Sequence, residues 1–277
     1  MKNYIDMSTG KQQLNRRQFL KASAAAVITL SAVGSLAFWL KDKSDVKDKG
    51  FLRPPGAIPE EDFLFACIKC GLCVQICPVH AVKLADWDTG LSYGTPYIDP
   101  NVQACDFSCD SIQCAETCPT SALHFPVFRS AGEKAVEELY KQYPNRKLPP
   151  NVNPFVVQIH AMKRAYKLGV AKVNVQQCLA YHGQGYKGPL TKHRAKMRPP
   201  GKGDRIYTDE ITVDRKICDL CVVYCPLQED AIVLKDQGGG KFLPEVLDGC
   251  VGCGVCQMVC PTEPKAIVIE PEENPKV

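Results

Sequence analysis

Cys67-Ile68-Lys69-Cys70-Gly71-Leu72-Cys73-Val74-Gln75-Ile76-Cys77-Pro78 is a run whose spacing leaves few readings. Three cysteines, each three residues from the next on an irregular loop, can wrap three corners of a [4Fe–4S] cubane. The backbone N–H groups of such a loop point at the sulfides. The fourth cysteine, before proline, turns away, and in two-cluster ferredoxins it ligates the neighbouring cluster. Gly71 lets the main chain come close to a ligand, and Pro78 fixes φ where the chain leaves the loop. Cys250, Cys253, Cys256 and Cys260-Pro261 repeat the run without deviation, with Gly252 and Gly254 expected to serve as Gly71 does.

Two further groups are looser. Cys105, Cys109, Cys114 and Cys118-Pro119 form one, and Cys218, Cys221 and Cys225-Pro226 form another with only three members. Cys178, 40 positions before Cys218, is the last of sixteen cysteines and completes four sets of four. Val173-Asn174-Val175-Gln176-Gln177 before it reads as a short strand leading into a cysteine, as Tyr97-Ile98-Asp99-Pro100 does before Cys105. Ile211-Thr212-Val213-Asp214 before Cys218 looks the same, so local pattern leaves a buried free thiol open as the alternative. The count favours Cys178 as an iron ligand.

The repeat extends past the ligands. Each Cys-Pro is followed by a turn and a small apolar strand: Ala81–Leu84, Ala122–Phe125, Ala231–Leu234 and Ala266–Ile269. Four copies of loop, turn and strand make an internal repeat with little apolar core per unit, so metal ligation supplies much of what holds it. A zinc-stabilised interaction module is the competing reading from another class. Four-cysteine zinc sites use two knuckles, each a cysteine pair, and give no reason for a third cysteine three residues on. Disulfides cannot close across such tight spacing in all four groups without strain.

Charge is informative by position. The net charge is +4, and residues 1–40 supply the excess with five basic residues and one acid, leaving 29 of each in the remainder. A globally basic footprint for nucleic acid is absent. Asn15-Arg16-Arg17-Gln18-Phe19-Leu20-Lys21 is a twin-arginine signature, and the uncharged apolar run 22–40 follows it, as an export signal requires. At roughly 19 residues that run is near the minimum for spanning a bilayer, so residues 22–40 serve either as a cleaved signal or as a retained anchor. Twin-arginine export carries folded proteins with cofactor already in place, which suits four [4Fe–4S] clusters assembled in the cytoplasm.

The expected organisation is a signal or anchor at 1–40, a linker at 41–59 ending in the stiffer turn Arg53-Pro54-Pro55-Gly56, and a four-cluster domain at 60–277. Within that domain, motifs one and two occupy 60–128, a helical connector 129–170, and motifs three and four 171–277. Ser130-x-x-Glu133 has a capping-box pattern that predicts a helix to Tyr143, and a second helix is expected from Phe155 to about Leu168. The insertion 179–217 has no apolar periodicity and carries seven Lys/Arg against one acid between Lys187 and Arg205. It reads as a solvated loop, or as a docking surface for an acidic partner or anionic lipid. The five histidines are scattered, none at a spacing that demands a metal. The fold class is α+β: two 2[4Fe–4S] ferredoxin-like units with connecting helices. Nothing suggests a nucleophile, a flavin fingerprint or a quinone site, so the expected reaction is outer-sphere electron transfer with no substrate chemistry.

The chain resembles the NapG/MauM family of ferredoxin-type proteins. Leu52-Arg53-Pro54-Pro55-Gly56-Ala57-Ile58, then Gly90-Leu91-Ser92 with Gly94-Thr95-Pro96-Tyr97, and the lone Cys178-Leu179 upstream of the third group, look like that family's own segments. The insertion between Cys178 and Cys218 and the extra residue between Cys105 and Cys109 depart from its pattern. The resemblance implies a periplasmic protein, at the outer face of the cytoplasmic membrane, that takes electrons from a polytopic NapH-like quinol-oxidising subunit. It passes them towards a periplasmic reductase or cytochrome acceptor, in nitrate or nitrous oxide respiration, while MauM relatives accompany methylamine oxidation; the sequence does not choose among these. Membrane association would run through the partner and residues 22–40. A subunit docked directly on an exported molybdoenzyme is the alternative that keeps the clusters. Related four-cluster proteins often pair the first motif with the fourth and the second with the third. The two regular runs here are the first and fourth, which leans towards that pairing, but the spacing leaves open which motifs pair.

Overall fold

The computed structural model describes residues 50–145, 147–194 and 207–272. The leader and anchor expected at 1–40, the start of the linker and the tip of the insertion, 195–206, lie outside the described residues. Those described fall within one compact unit, Lys49–Val277. No helix among them is long and apolar enough to cross a membrane.

The first half contains helices α1 (Glu60–Ala66), α2 (Leu72–Ile76) and α3 (Gln113–Glu116), with strands β1 (Val82–Leu84) and β2 (Pro96–Ile98). Two connecting helices follow, α4 (Pro126–Gln142) and α5 (Pro154–Arg164). The second half holds β3 (Gly169–Val173), β4 (Tyr186–Arg194), β5 (Tyr207–Arg215), α6 (Leu220–Val223), β6 (Ile232–Gly238), β7 (Lys241–Val246), α7 (Val255–Val259) and β8 (Ile267–Pro271). Among the described residues all sheets are antiparallel pairs: β1–β2, β3–β8, β4–β5 and β6–β7.

These pairs explain how each half closes. Ala57, ahead of the first motif, bridges Leu123, just after the second. In the second half β3, ahead of Cys178, pairs along its length with β8, just after the fourth motif. Each half therefore ties its own beginning to its own end. Short strands on this scale are not stable alone; here their buried faces (Val82, Ile98, Leu123, Ile232, Ile267, Ile269) pack under the cysteine loops.

Several expectations change. The predicted strand at Ala122–Phe125 is a single bridge, because Pro126 starts α4 with its fixed φ at the first helical position. Ser130 consequently lies inside α4, its hydroxyl bonded back to the Val127 carbonyl, and the capping box is not formed. The second connector begins one residue earlier than expected, with Asn153 capping the Phe155 N–H, and ends at Arg164. Val175–Gln177 is a short 3-10 turn, the strand ahead of it stopping at Val173. The insertion 179–217, read as a loop, contains two nine-residue strands paired antiparallel, β4 on β5, with Leu190 buried.

The segment read as a linker turn is core. Arg53 is 7 % exposed, and Pro54 and Pro55 are fully buried. The Arg53 guanidinium donates to both Glu60 carboxylate oxygens, to Thr95 Oγ1 at 2.9 Å and to the Pro96 carbonyl at 2.8 Å. It also lies over the rings of Phe51 and Phe63. Phe51 and Arg53 thus belong to the folded unit, and a planar five-donor head group is what this pocket requires. Arg53→Ala leaves buried acceptors unpaired and removes two ring contacts. Discounted for the partly exposed Glu60, the cost is about 3 kcal/mol. Denaturant unfolding of the anaerobic protein, followed by loss of visible absorbance, should show it, with Arg53→Lys recovering only part.

The halves meet through specific contacts. Buried Tyr166, just after α5, donates to the Ala57 carbonyl and packs at a tilt against the Phe128 ring of α4. The Leu168 N–H donates to the Val251 carbonyl at 2.8 Å. Gly132 lets α4 and α5 approach, since a Cβ there would stand 2.8 Å from Gln158.

Candidate iron–sulfur sites

The sixteen cysteines line four cavities, four to each, and none is used twice. Site I is lined by Cys67, Cys70, Cys73 and Cys118. Site II has Cys77, Cys105, Cys109 and Cys114. Site III has Cys178, Cys218, Cys221 and Cys260, and site IV has Cys225, Cys250, Cys253 and Cys256.

Neighbouring motifs in sequence thus exchange their last cysteines. Motif one pairs with motif two and motif three with motif four, which corrects the expected pairing of first with fourth and second with third. The reason lies in the strands. Each half is closed by its own outer strands, so the nearest loop to each departing cysteine belongs to the same half. The short helices make the exchange. Cys73 sits near the start of α2 and Cys77 just past its end, about 6 Å further along at 1.5 Å per residue. One helix therefore feeds two cavities, and α7 does the same with Cys256 and Cys260.

The electrostatics of the thiols follow these sets in part, with charges also felt between adjoining sites: Cys73 on Cys114, Cys253 on Cys105 and Cys221 on Cys256. Burial pushes Cys73 up to about 12, helped by the charges of Cys67, Cys70 and Cys118. Cys218 is pushed up to about 11, mainly by burial, with Cys260 and Cys178 adding to it. Burial likewise drives Cys105, Cys114, Cys221, Cys253 and Cys256 well above the ordinary thiol range. Cys114 also feels Cys77 across the motif boundary, and Cys256 feels Cys225. A bare thiolate is disfavoured in such a place, whereas a coordinated metal deprotonates its thiols outright. Four sulfurs lining one cavity are the donor set of a cluster-binding loop, and loading must release their protons.

Backbone N–H groups accompany the sulfurs. Lys69, Phe107, Gln113, Leu220, Leu227 and Val255 each offer one to a cysteine of their own loop. The Ala81 N–H reaches Cys77 Sγ at 3.3 Å. Gly71, at φ 74°, lines site I, and a Cβ there would meet no protein atom within 4 Å. That space beside the main chain fits a cluster. Gly252 and Gly254 differ from expectation. Their Cβ positions would strike the Gly169 backbone at 2.2 Å and Pro100 at 2.8 Å, so protein packing demands them. Among the described residues no three His, Cys, Asp or Glu side chains converge as a single-ion site requires; a lone zinc would draw its sulfurs to about 2.3 Å.

The contact between halves joins two sites directly. The Cys105 N–H of site II donates to the Cys253 carbonyl of site IV at 3.2 Å. Around it the Ala104 N–H reaches Met258 Sδ, and Gln257 donates to Asn101 Oδ1 at 2.9 Å. The ligand sets therefore adjoin in the order I, II, IV, III. Site I lies at one end with Cys70 exposed, and Ile68, Leu72 and Leu84 line it while also facing solvent.

Comparison with known proteins agrees with the first pair. A 4Fe-4S dicluster domain matches residues 66–122, and a 4Fe-4S binding domain matches 247–263. The chain is 30% identical over 253 residues to the methylamine utilization ferredoxin-type protein MauM of Paracoccus denitrificans, covering 89% of this chain and 83% of that one. It is also 30% identical over 254 residues to the ferredoxin-type protein NapG of Escherichia coli, covering 89% and 81%. The MauM of Methylorubrum extorquens is 29% identical, covering 90% and 84%. No solved structure matches. Cysteine loops of this spacing, sulfur-lined cavities and likeness along nearly the whole chain lead to one conclusion: the chain belongs to the NapG/MauM family of ferredoxin-type iron–sulfur electron-transfer proteins.

Proposed function

We propose that the chain holds one [4Fe–4S] cluster in each of its four sites and relays electrons from a polytopic quinol-oxidising membrane subunit to a periplasmic reductase, in nitrate or nitrous oxide respiration. The observation that carries this reading is the use of all sixteen cysteines, once each, in four four-sulfur cavities. A bound cluster supplies a one-electron couple. The protein's residues space the sites and aim N–H groups at the sulfurs. The exposed apolar rim of site I, with Phe65 nearby at 92 % exposure, supports it as the face presented to the membrane partner. The twin-arginine sequence at Arg16-Arg17 and the apolar run 22–40 support export to the periplasmic side, with or without a retained anchor.

Anaerobically purified protein should contain about sixteen irons and sixteen sulfides per chain, as four cubanes require, with EPR signals on reduction and a polytopic membrane protein co-purifying. Zinc in place of iron would defeat the electron-transfer reading. A large catalytic subunit as the direct partner would defeat the assignment of the donor.

A further inference from the structure

We infer that Thr262 and Lys265 set the reduction potential of site III, an inference that rests on site III holding a cluster. Cys260 reaches site III from the fourth motif, and Thr262 Oγ1 lies 3.2 Å from its sulfur. The donor in that contact is settled by chemistry around the hydroxyl. The Ala266 N–H already donates to Thr262 Oγ1 at 2.9 Å, filling an acceptor position. An iron-bound Cys260 sulfur carries no proton, so the hydroxyl proton points at the sulfur. A peptide N–H thus polarises a hydroxyl that donates to a ligand.

The second element is a cation. Lys265 Nζ donates to the Cys260 carbonyl at 2.7 Å with its side chain only 18 % exposed. Its other partner, Glu263, is 79 % exposed at 3.2 Å, so solvent screens the acid more than the ammonium. Site III therefore carries a hydroxyl donor and a largely buried positive charge on the same ligand residue.

The other exchanged cysteines are treated differently. Thr120 stands at the matching place beside Cys118 of site I, but at 3.8 Å and on an exposed surface. Cys77 and Cys225 receive backbone N–H groups. Taking up one electron adds one negative charge to a site while no bond is made or broken and no proton moves. A hydrogen-bond donor and a cation against a ligand favour the reduced form. Thr262 and Lys265 act through Cys260, which makes them positioning residues for the couple.

The test is an EPR-monitored redox titration, with dithionite as reductant, of full-length protein carrying its clusters. Thr262→Val and Lys265→Met should each lower one midpoint, so that at fixed potential the reduced-to-oxidised ratio of that site falls roughly three- to tenfold. The midpoint that moves should be the one lost in Cys178→Ser. Thr262→Ser should restore it, and Thr120→Val should move none. Iron content should stay at the wild-type value throughout. Unchanged midpoints in both variants, a Thr262→Ser shift as large as that of valine, or a shift that appears only with iron loss would each overturn the inference while leaving the four-cluster reading in place. Wild-type protein without clusters would overturn both.

Discussion

The Cys118→Ala protein will retain three intact clusters, and adding Cys70→Ala to it will leave that number unchanged. Adding Cys109→Ala instead will reduce it to two. The asymmetry follows from the exchange of ligands: Cys118 and Cys70 line one cavity, whereas Cys109, in the same motif as Cys118, lines another. Residues that serve one site cannot be lost twice, so their effects fail to add, and residues of separate sites add. Spin quantitation of the reduced proteins, with iron near twelve and eight atoms per chain for three and two cubanes, reads the result. If every motif filled its own cavity, the two double variants would change places. If the outer motifs were paired with each other, both would fall to two clusters.

Gly252→Ala will damage the protein more than a substitution at any other glycine turn of comparable φ. Gly252 lies at φ 69°, and the added methyl would stand 2.2 Å from the Gly169 carbonyl oxygen, a backbone atom at the start of β3. The left-handed conformation costs roughly 1–2 kcal/mol for an L side chain. Relieving the overlap requires moving β3 or the loop holding Cys250 and Cys253, at about 1–3 kcal/mol more. The loss of about 4 kcal/mol should appear as a lower unfolding midpoint together with loss of the site IV cluster. Gly239 is the control. It has φ 62° and open space where a Cβ would stand, so Gly239→Ala should cost only about 1 kcal/mol and keep all its iron. Equal losses in the two variants would show that backbone strain, and not the approach to Gly169, governs both positions.

The ligand loops were legible because their information is local. Cysteines at fixed spacing with a following proline state a chemistry within a dozen residues, and β1, β6 and β8 followed from short apolar runs after each loop. Pairing was not legible, since regular spacing describes one loop while the partner of Cys77 or Cys260 depends on which strands close each half. Arg53-Pro54-Pro55-Gly56 has the composition of a linker, and nothing nearby announces that Thr95 and Pro96, some forty positions on, will receive the guanidinium. The β4–β5 pair was hidden for a related reason. Its strands are mostly polar, and apart from the short stretch Ile211–Asp214 no apolar alternation marks them. The cysteine spacing does not single out Thr262; a hydroxyl two positions beyond the last cysteine is the available signal.

The exchange of cysteines between adjacent loops has a consequence for descent. A lineage cannot shed or acquire one loop at a time, because each loop completes its neighbour. Deleting the second would orphan three sulfurs of the first and leave Cys77 facing nothing. Gains and losses must come in couples, and the helical stretch 126–164 is the place where such couples can be joined or parted without opening a cavity. Copy number in this lineage should accordingly run in even steps.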